Sequence, residues 1–184
     1  MHFKHRTFNS TDLLYFIEFL KYHYSKHDSL EEAFIINLAG APTFRNTRSE
    51  VPVDMETGLA GFYDYFFSLP DIPNRTRKHI STPEKKSSCK RLNMYLRWMV
   101  RRDKKGVDFG IWKRISPAQL ICPLDVHVSR VARRMGMLQR NQTDWQAALE
   151  LTEYLRTLDS KDPVKYDFAL FGTGITENKT RANR

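Results

Sequence analysis

The chain has 184 residues, is 41% hydrophobic and 12% aromatic, and carries 30 Lys+Arg against 21 Asp+Glu for a formal net charge of +9. That length suits one globular domain over 1–184, able to bury roughly 70% of its unfolded surface, and the apolar content excludes disorder as the main state. No apolar run reaches the length of a membrane span, MHFKHRTFNS lacks the apolar stretch of a signal peptide, and Cys89 and Cys122 are too few for a disulfide framework or a four-cysteine zinc site.

The periodicity is helical almost throughout. Asn9 or Ser10 is placed to cap a helix whose apolar positions are Leu13, Phe16, Ile17 and Leu20. Ser29 with Glu32 forms a capping-box pattern ahead of Ala33, Phe34, Ile36 and Leu38, and the stretch from Gly40 to Pro52 reads as a loop. A third helix over about 55–68 shares Leu59, Phe62, Tyr63 and Phe66 on one face. Residues 69–88, with Pro70, Pro73 and Pro83 among basic and hydroxyl side chains, read as an exposed basic connector.

Ser87 or Ser88 is placed to cap the next helix, which runs to about Arg102 with Leu92, Tyr95, Leu96 and Met99 inward and Lys90, Met94, Arg97 and Arg101 on another face. Ser116-Pro117 reads as a cap followed by proline in the first turn, and Pro123 ends that short helix. Asp125 then caps a helix ending near Gly136, with His127, Arg130 and Arg134 along one side. Thr143 with Gln146 starts a helix to about Leu158. Asp162-Pro163 opens the last one, Gly172 is its expected stop, and 173–184 read as a frayed tail. The expected fold class is all-α.

Charge is concentrated in one segment. Residues 75–140 hold 18 Lys/Arg and four acids, a net +14, whereas the remainder is net −5. A local excess of this kind suits a polyanion, whose counterions are released when its phosphates are contacted. A solvated face that keeps the protein soluble has the same signature.

One run carries most of the chemistry: Pro123-Leu124-Asp125-Val126-His127-Val128, followed by Arg130 and Arg134. It resembles the Pro-Val-Asp-x-His/Arg-Val segment of helix-hairpin-helix DNA glycosylases, especially the 8-oxoguanine glycosylases, in which the Asp is essential to catalysis. Over most of its length the chain is similar to an uncharacterised, mainly bacterial family of unknown function, itself a divergent relative of those glycosylases. The matching stretches are Cys89-Lys90-Arg91-Leu92-Asn93-Met94, Leu96-Arg97-Trp98-Met99-Val100-Arg101, Val107-Asp108, Trp112, the Asp125 run, and Asp162-Pro163-Val164-Lys165-Tyr166-Asp167-Phe168-Ala169-Leu170. Members of that family carry additional N-terminal helices, so the resemblance implies an all-α glycosylase fold lacking some of them.

The resemblance implies base-excision chemistry on double-stranded DNA with a damaged base, with 8-oxoguanine as the inherited preference, in the cytoplasm and on the nucleoid. A lysine amine would attack the sugar of a flipped-out nucleotide while a carboxylate stabilises the developing positive charge. Lys90, in the first turn of its helix and 35 residues before Asp125, is the first choice of nucleophile. Lys105, 20 residues before Asp125, is the second, since that spacing is the usual one in such glycosylases but no Gly-rich hairpin surrounds it. His127, Arg130, Arg134, Arg97 and Arg101 are the candidate DNA contacts, and Trp98, Phe109, Trp112 and Asp167 the candidate base pocket. No metal or organic cofactor is implied. Two other readings stay open: a nucleic-acid-binding relative without turnover, and a structural or interaction domain with a basic face.

Overall fold

Nearly all the regular structure in the computed structural model is helical; the structure describes residues 3–35, 54–104 and 106–182. Among them the strands amount to one short antiparallel pair, β1 (Lys4–His5) with β2 (Phe8–Asn9), so the fold is all-α. The chain forms two compact units, Met1–Thr82 and Pro83–Arg184. No helix among the described residues is long and apolar enough to cross a membrane.

The first unit is built on α1 (Ser10–Tyr24) and α2 (Met55–Phe66). Asn9 caps α1 by accepting from the Asp12 N–H while the Asp12 carboxylate accepts from the Asn9 N–H at 2.9 Å. The buried face of α1 is Asp12, Tyr15, Phe19 and His23, not the expected stripe, and Ile17 and Leu20 are exposed. Tertiary partners turn the helix this way. Thr76 donates to Asp12 at 2.8 Å, and Phe19 sits 4.4 Å from Phe66, ring to ring. Face-sharing on α2 is as the periodicity predicts, with Leu59, Phe62, Tyr63 and Phe66 buried.

Ser29 caps only a 3-10 turn, Leu30–Phe34, and the expected positions Ile36 and Leu38 and the loop from Gly40 to Pro52 lie outside the described residues. The stretch 69–82 is partly inserted rather than fully exposed: the 3-10 turn Asn74–His79 buries Thr76, and Ile80 and Thr82 follow it inward.

The second unit holds α3 (Lys90–Val100), α4 (Val126–Arg134), α5 (Trp145–Leu158) and α6 (Asp167–Ala182). Its core includes Leu96, Trp112, Leu124, Val131, Leu151 and Val164. Two expected caps shift by a residue. Cys89, in the left-handed region at φ 49°, precedes α3, and Ser87 Oγ accepts its N–H at 3.2 Å. Asp144 rather than Thr143 caps α5, where Arg140 pairs with it and the Ala147 N–H donates to it. The Ser87–Asp144 bridge ties the starts of these two helices together.

The last helix does not stop at Gly172 but continues to Ala182 through the stretch expected to fray. It lies along α4, and the reason shows at Gly174: a Cβ there would come within 2.9 Å of the His127 Cβ, so a glycine lets the helices close on each other.

Candidate functional site

Asp125 owes its position to a buried extended run. Leu120 to Leu124 are all buried, and the Cys122 N–H donates to Thr152 Oγ1 on α5 at 3.0 Å. At the end of that run Asp125 caps α4, its Oδ1 accepting the N–H groups of His127 and Val128, each at 2.8 Å. Its other oxygen, Oδ2, accepts from Lys90 Nζ at 2.9 Å. The two candidates chosen from sequence are thus in contact, one at the start of α3 and one at the start of α4.

The pair is asymmetric in exposure. The Lys90 side chain is 39% exposed and that of Asp125 only 9%. Burial pushes the Asp125 carboxyl up, but hydrogen bonds from the Val128 N–H, Lys90 and the His127 N–H outweigh it and hold the group below its ordinary range. Asp125 is therefore a carboxylate at neutral pH, suited to stabilise positive charge rather than to store a proton.

Asp167, the first residue of α6, has the opposite character. It is 4% exposed and burial pushes it up to about 6, with Arg97 opposing and the negative charge of Asp125 adding to the rise. It takes an ion pair from Arg97. Arg97 also pairs with Asp108, which Arg101 contacts in turn, and Arg101 grips Asp162 through Nε at 2.8 Å and Nη2 at 2.9 Å. A line of alternating charges thus links Asp167, Arg97, Asp108, Arg101 and Asp162, and its Asp167 end feels the charges of Asp125 and Lys90. It explains why Asp162, expected to cap the turn at Pro163, makes no side-chain cap: its carboxylate is taken by Arg101.

The structure gives several of the other expected site residues partners within the protein. Arg97 and Arg101, expected to contact DNA, are enclosed in ion pairs at 4% and 12% side-chain exposure. His127, Arg130 and Arg134, expected to clamp phosphate, turn toward α6. The His127 ring meets Phe171 edge-on at 5.8 Å, Arg130 donates to the Gly174 carbonyl, and Arg134 pairs with Glu177. Trp112, expected in a base pocket, is a core residue set edge-on to Tyr95. Trp98 and Phe109 are exposed instead. Lys105, the second choice of nucleophile, lies outside the described residues.

Both cysteines are buried and outside any disulfide, and burial drives the Cys122 thiol well above its ordinary value, so Cys122 is not poised as a nucleophile. No cluster among the described residues could hold a metal ion. A surface depression lined by Gln139, Arg140, Gln146 and Glu150 contains none of the candidate residues; the chemistry argues for Lys90 and Asp125 over it. Motif reading noted Asp108 and Asp162 but not their pairing role: they hold Arg101 between them. A signal for Asp108 was present: an acid is rare in so basic a segment, and a rare acid there is drawn to a buried arginine.

Residues 1–176 match the family model described as Protein of unknown function (DUF2400). No curated protein and no solved structure matches the chain.

Proposed function

The chain belongs to the DUF2400 family of unknown function, and from that premise we propose that it is a DNA glycosylase of the helix-hairpin-helix kind, with Lys90 as nucleophile and Asp125 as the catalytic carboxylate. The observation that carries this reading is the 2.9 Å contact between Lys90 Nζ and Asp125 Oδ2. Residues far apart in sequence place an amine and a carboxylate at two helix starts, in the partly open geometry that a sugar carbon would need.

The reaction follows from those groups. Lys90 Nζ forms a bond to C1′ of an extruded nucleotide as the bond from C1′ to the base breaks; the bonding pair leaves with the base, which takes up a proton. The buried carboxylate of Asp125 lowers the energy of the positive charge that develops on the sugar. Loss of the amine proton and opening of the sugar ring then give a Schiff base, from which strand cleavage by elimination is open. An amine attacks only when neutral, so Lys90 must first pass its proton to water at its exposed side, and substrate entering there then removes the water that favours the charged form.

The test is borohydride trapping on duplexes carrying 8-oxoguanine, uracil or an abasic site, with Lys90→Ala beside the parent. The expected result is a covalent adduct on the 8-oxoguanine duplex that the folded variant does not form. An adduct confined to the abasic site would keep the lyase step and remove base recognition. No adduct with any duplex would remove the Lys-dependent mechanism.

A further inference from the structure

We propose that the exposed aromatic and cationic surface formed by the end of α3 and the extended segment returning beside it is a stacking platform for unpaired nucleotides of a single strand. It is distinct from the Lys90–Asp125 pair and stands whether or not that pair turns over.

After Val100 the chain makes a tight reversal. Arg102 and Phe109 form an antiparallel bridge, the Phe109 and Gly110 N–H groups donate to the Trp98 carbonyl at 2.7 and 3.3 Å, and the Trp112 N–H donates to that of Met99 at 2.9 Å. The returning residues alternate as a strand does: Asp108, Gly110 and Trp112 face inward, while Phe109 is 58% exposed and Ile111 is 61% exposed. Gly110 makes the close approach possible. It has φ +58°, and a Cβ there would fall 2.6 Å from the Cβ of Arg102. Trp98, whose carbonyl anchors this segment, is itself 38% exposed.

Large apolar side chains held outward on a braced backbone need an occupant, and the charge around them selects it. Arg91, Arg102, Lys104, Lys113 and Arg114 are all exposed on this stretch, and Asp103 is its one half-exposed acid among the described residues. Cations call for a polyanion, and flat exposed rings among them call for bases, whose faces stack on aromatic side chains. A paired duplex keeps those faces covered, so the fitting ligand is an unpaired strand. Trp98 is eight residues along α3 from Lys90, about 12 Å by helical rise, so one strand can pass over the platform and reach the Lys90 end of the same helix.

The chain offers its own probe. Trp112 and Trp145 are buried at 4% and 2%, which leaves Trp98 as the exposed tryptophan. Titration of the full chain with a short oligothymidylate is expected to quench tryptophan fluorescence and to bind more tightly than a fully paired duplex of the same length. Trp98→Ala should abolish the quench and, like Phe109→Ala, weaken binding about tenfold, whereas Trp98→Phe keeps a ring face and most of the affinity. Both positions are exposed, and circular dichroism of each variant checks the fold. Unchanged oligothymidylate affinity in folded Trp98→Ala and Phe109→Ala, absence of binding, or equal affinity for the duplex would each overturn the proposal. Borohydride trapping reads Lys90 and oligothymidylate affinity reads Trp98 and Phe109, so a failure of the one and a failure of the other are told apart.

Discussion

The carboxylate of Asp125 divides its oxygens between two tasks: Oδ1 caps α4 through the N–H groups of His127 and Val128, and Oδ2 receives Lys90 Nζ at 2.9 Å. Structure and chemistry therefore meet in one side chain, and two substitutions separate them. Asp125→Asn keeps an oxygen for the cap but removes the negative charge beside Lys90. Asp125→Ala removes both.

For Asp125→Asn the expected outcome is stability close to the parent and a fall of about 10²-fold or more in the rate of adduct formation on damaged duplex. Asp125→Ala should lose the same activity and in addition about 1 kcal/mol of stability from the missing cap. Urea unfolding together with trapping rates checks both. A folded Asp125→Asn variant that forms adduct at the parent rate would make this residue a cap and nothing more.

Asp167 gives the second unit a distinctive pH response. Burial holds its folded-state value up at about 6 against an ordinary 3.8. A group raised in this way binds its proton more tightly when folded. Its contribution is thus complete below the ordinary value and is lost as pH rises through the folded one. Relative to Asp167→Asn, which has nothing to titrate there, the parent should lose about 2 kcal/mol between about pH 4 and about pH 7.5. Denaturant unfolding of the two proteins at both pH values measures the difference. A constant gap between them would show that Arg97 compensates the buried charge fully.

Legibility in the sequence followed the range of the forces involved. Local signals read well: α2 has an apolar face at helical spacing, Asn9 and Asp125 cap as their positions suggest, and Ser116 with Pro117 opens a turn with a capping box. Signals set by distant partners did not. The buried side of α1 includes Asp12 and His23, polar residues that periodicity assigns outward, and each is buried because a partner far along the chain, Thr76 or Tyr65, bonds to it. Arg97 and Arg101 look like surface cations until Asp108, Asp162 and Asp167 come together around them. The types and helix-start positions of Lys90 and Asp125 were readable; their contact across 35 residues is a product of the fold.

His23 should make the first unit sensitive to acid. Its ring is fully buried, with Nε2 3.0 Å from the Ser29 carbonyl and Nδ1 3.1 Å from the Tyr65 hydroxyl. A carbonyl can only accept, so Nε2 carries the proton and Nδ1 accepts from Tyr65. Burial depresses the basicity of the ring, and the stacked His27 adds to that, against the opposing pull of the Ser29 carbonyl and Glu32. For a histidine whose folded value is lowered, the stabilising contribution is present above its ordinary value of 6.5 and is lost as pH falls below it. The Cε1 proton of His23 should therefore titrate below 6.5 in an NMR pH series. Tyr65→Phe, which leaves Nδ1 buried without a donor, should cost about 1–3 kcal/mol at neutral pH. A His23 midpoint at or above the ordinary value, or a Tyr65→Phe variant as stable as the parent, would refute the neutral hydrogen-bonded tautomer.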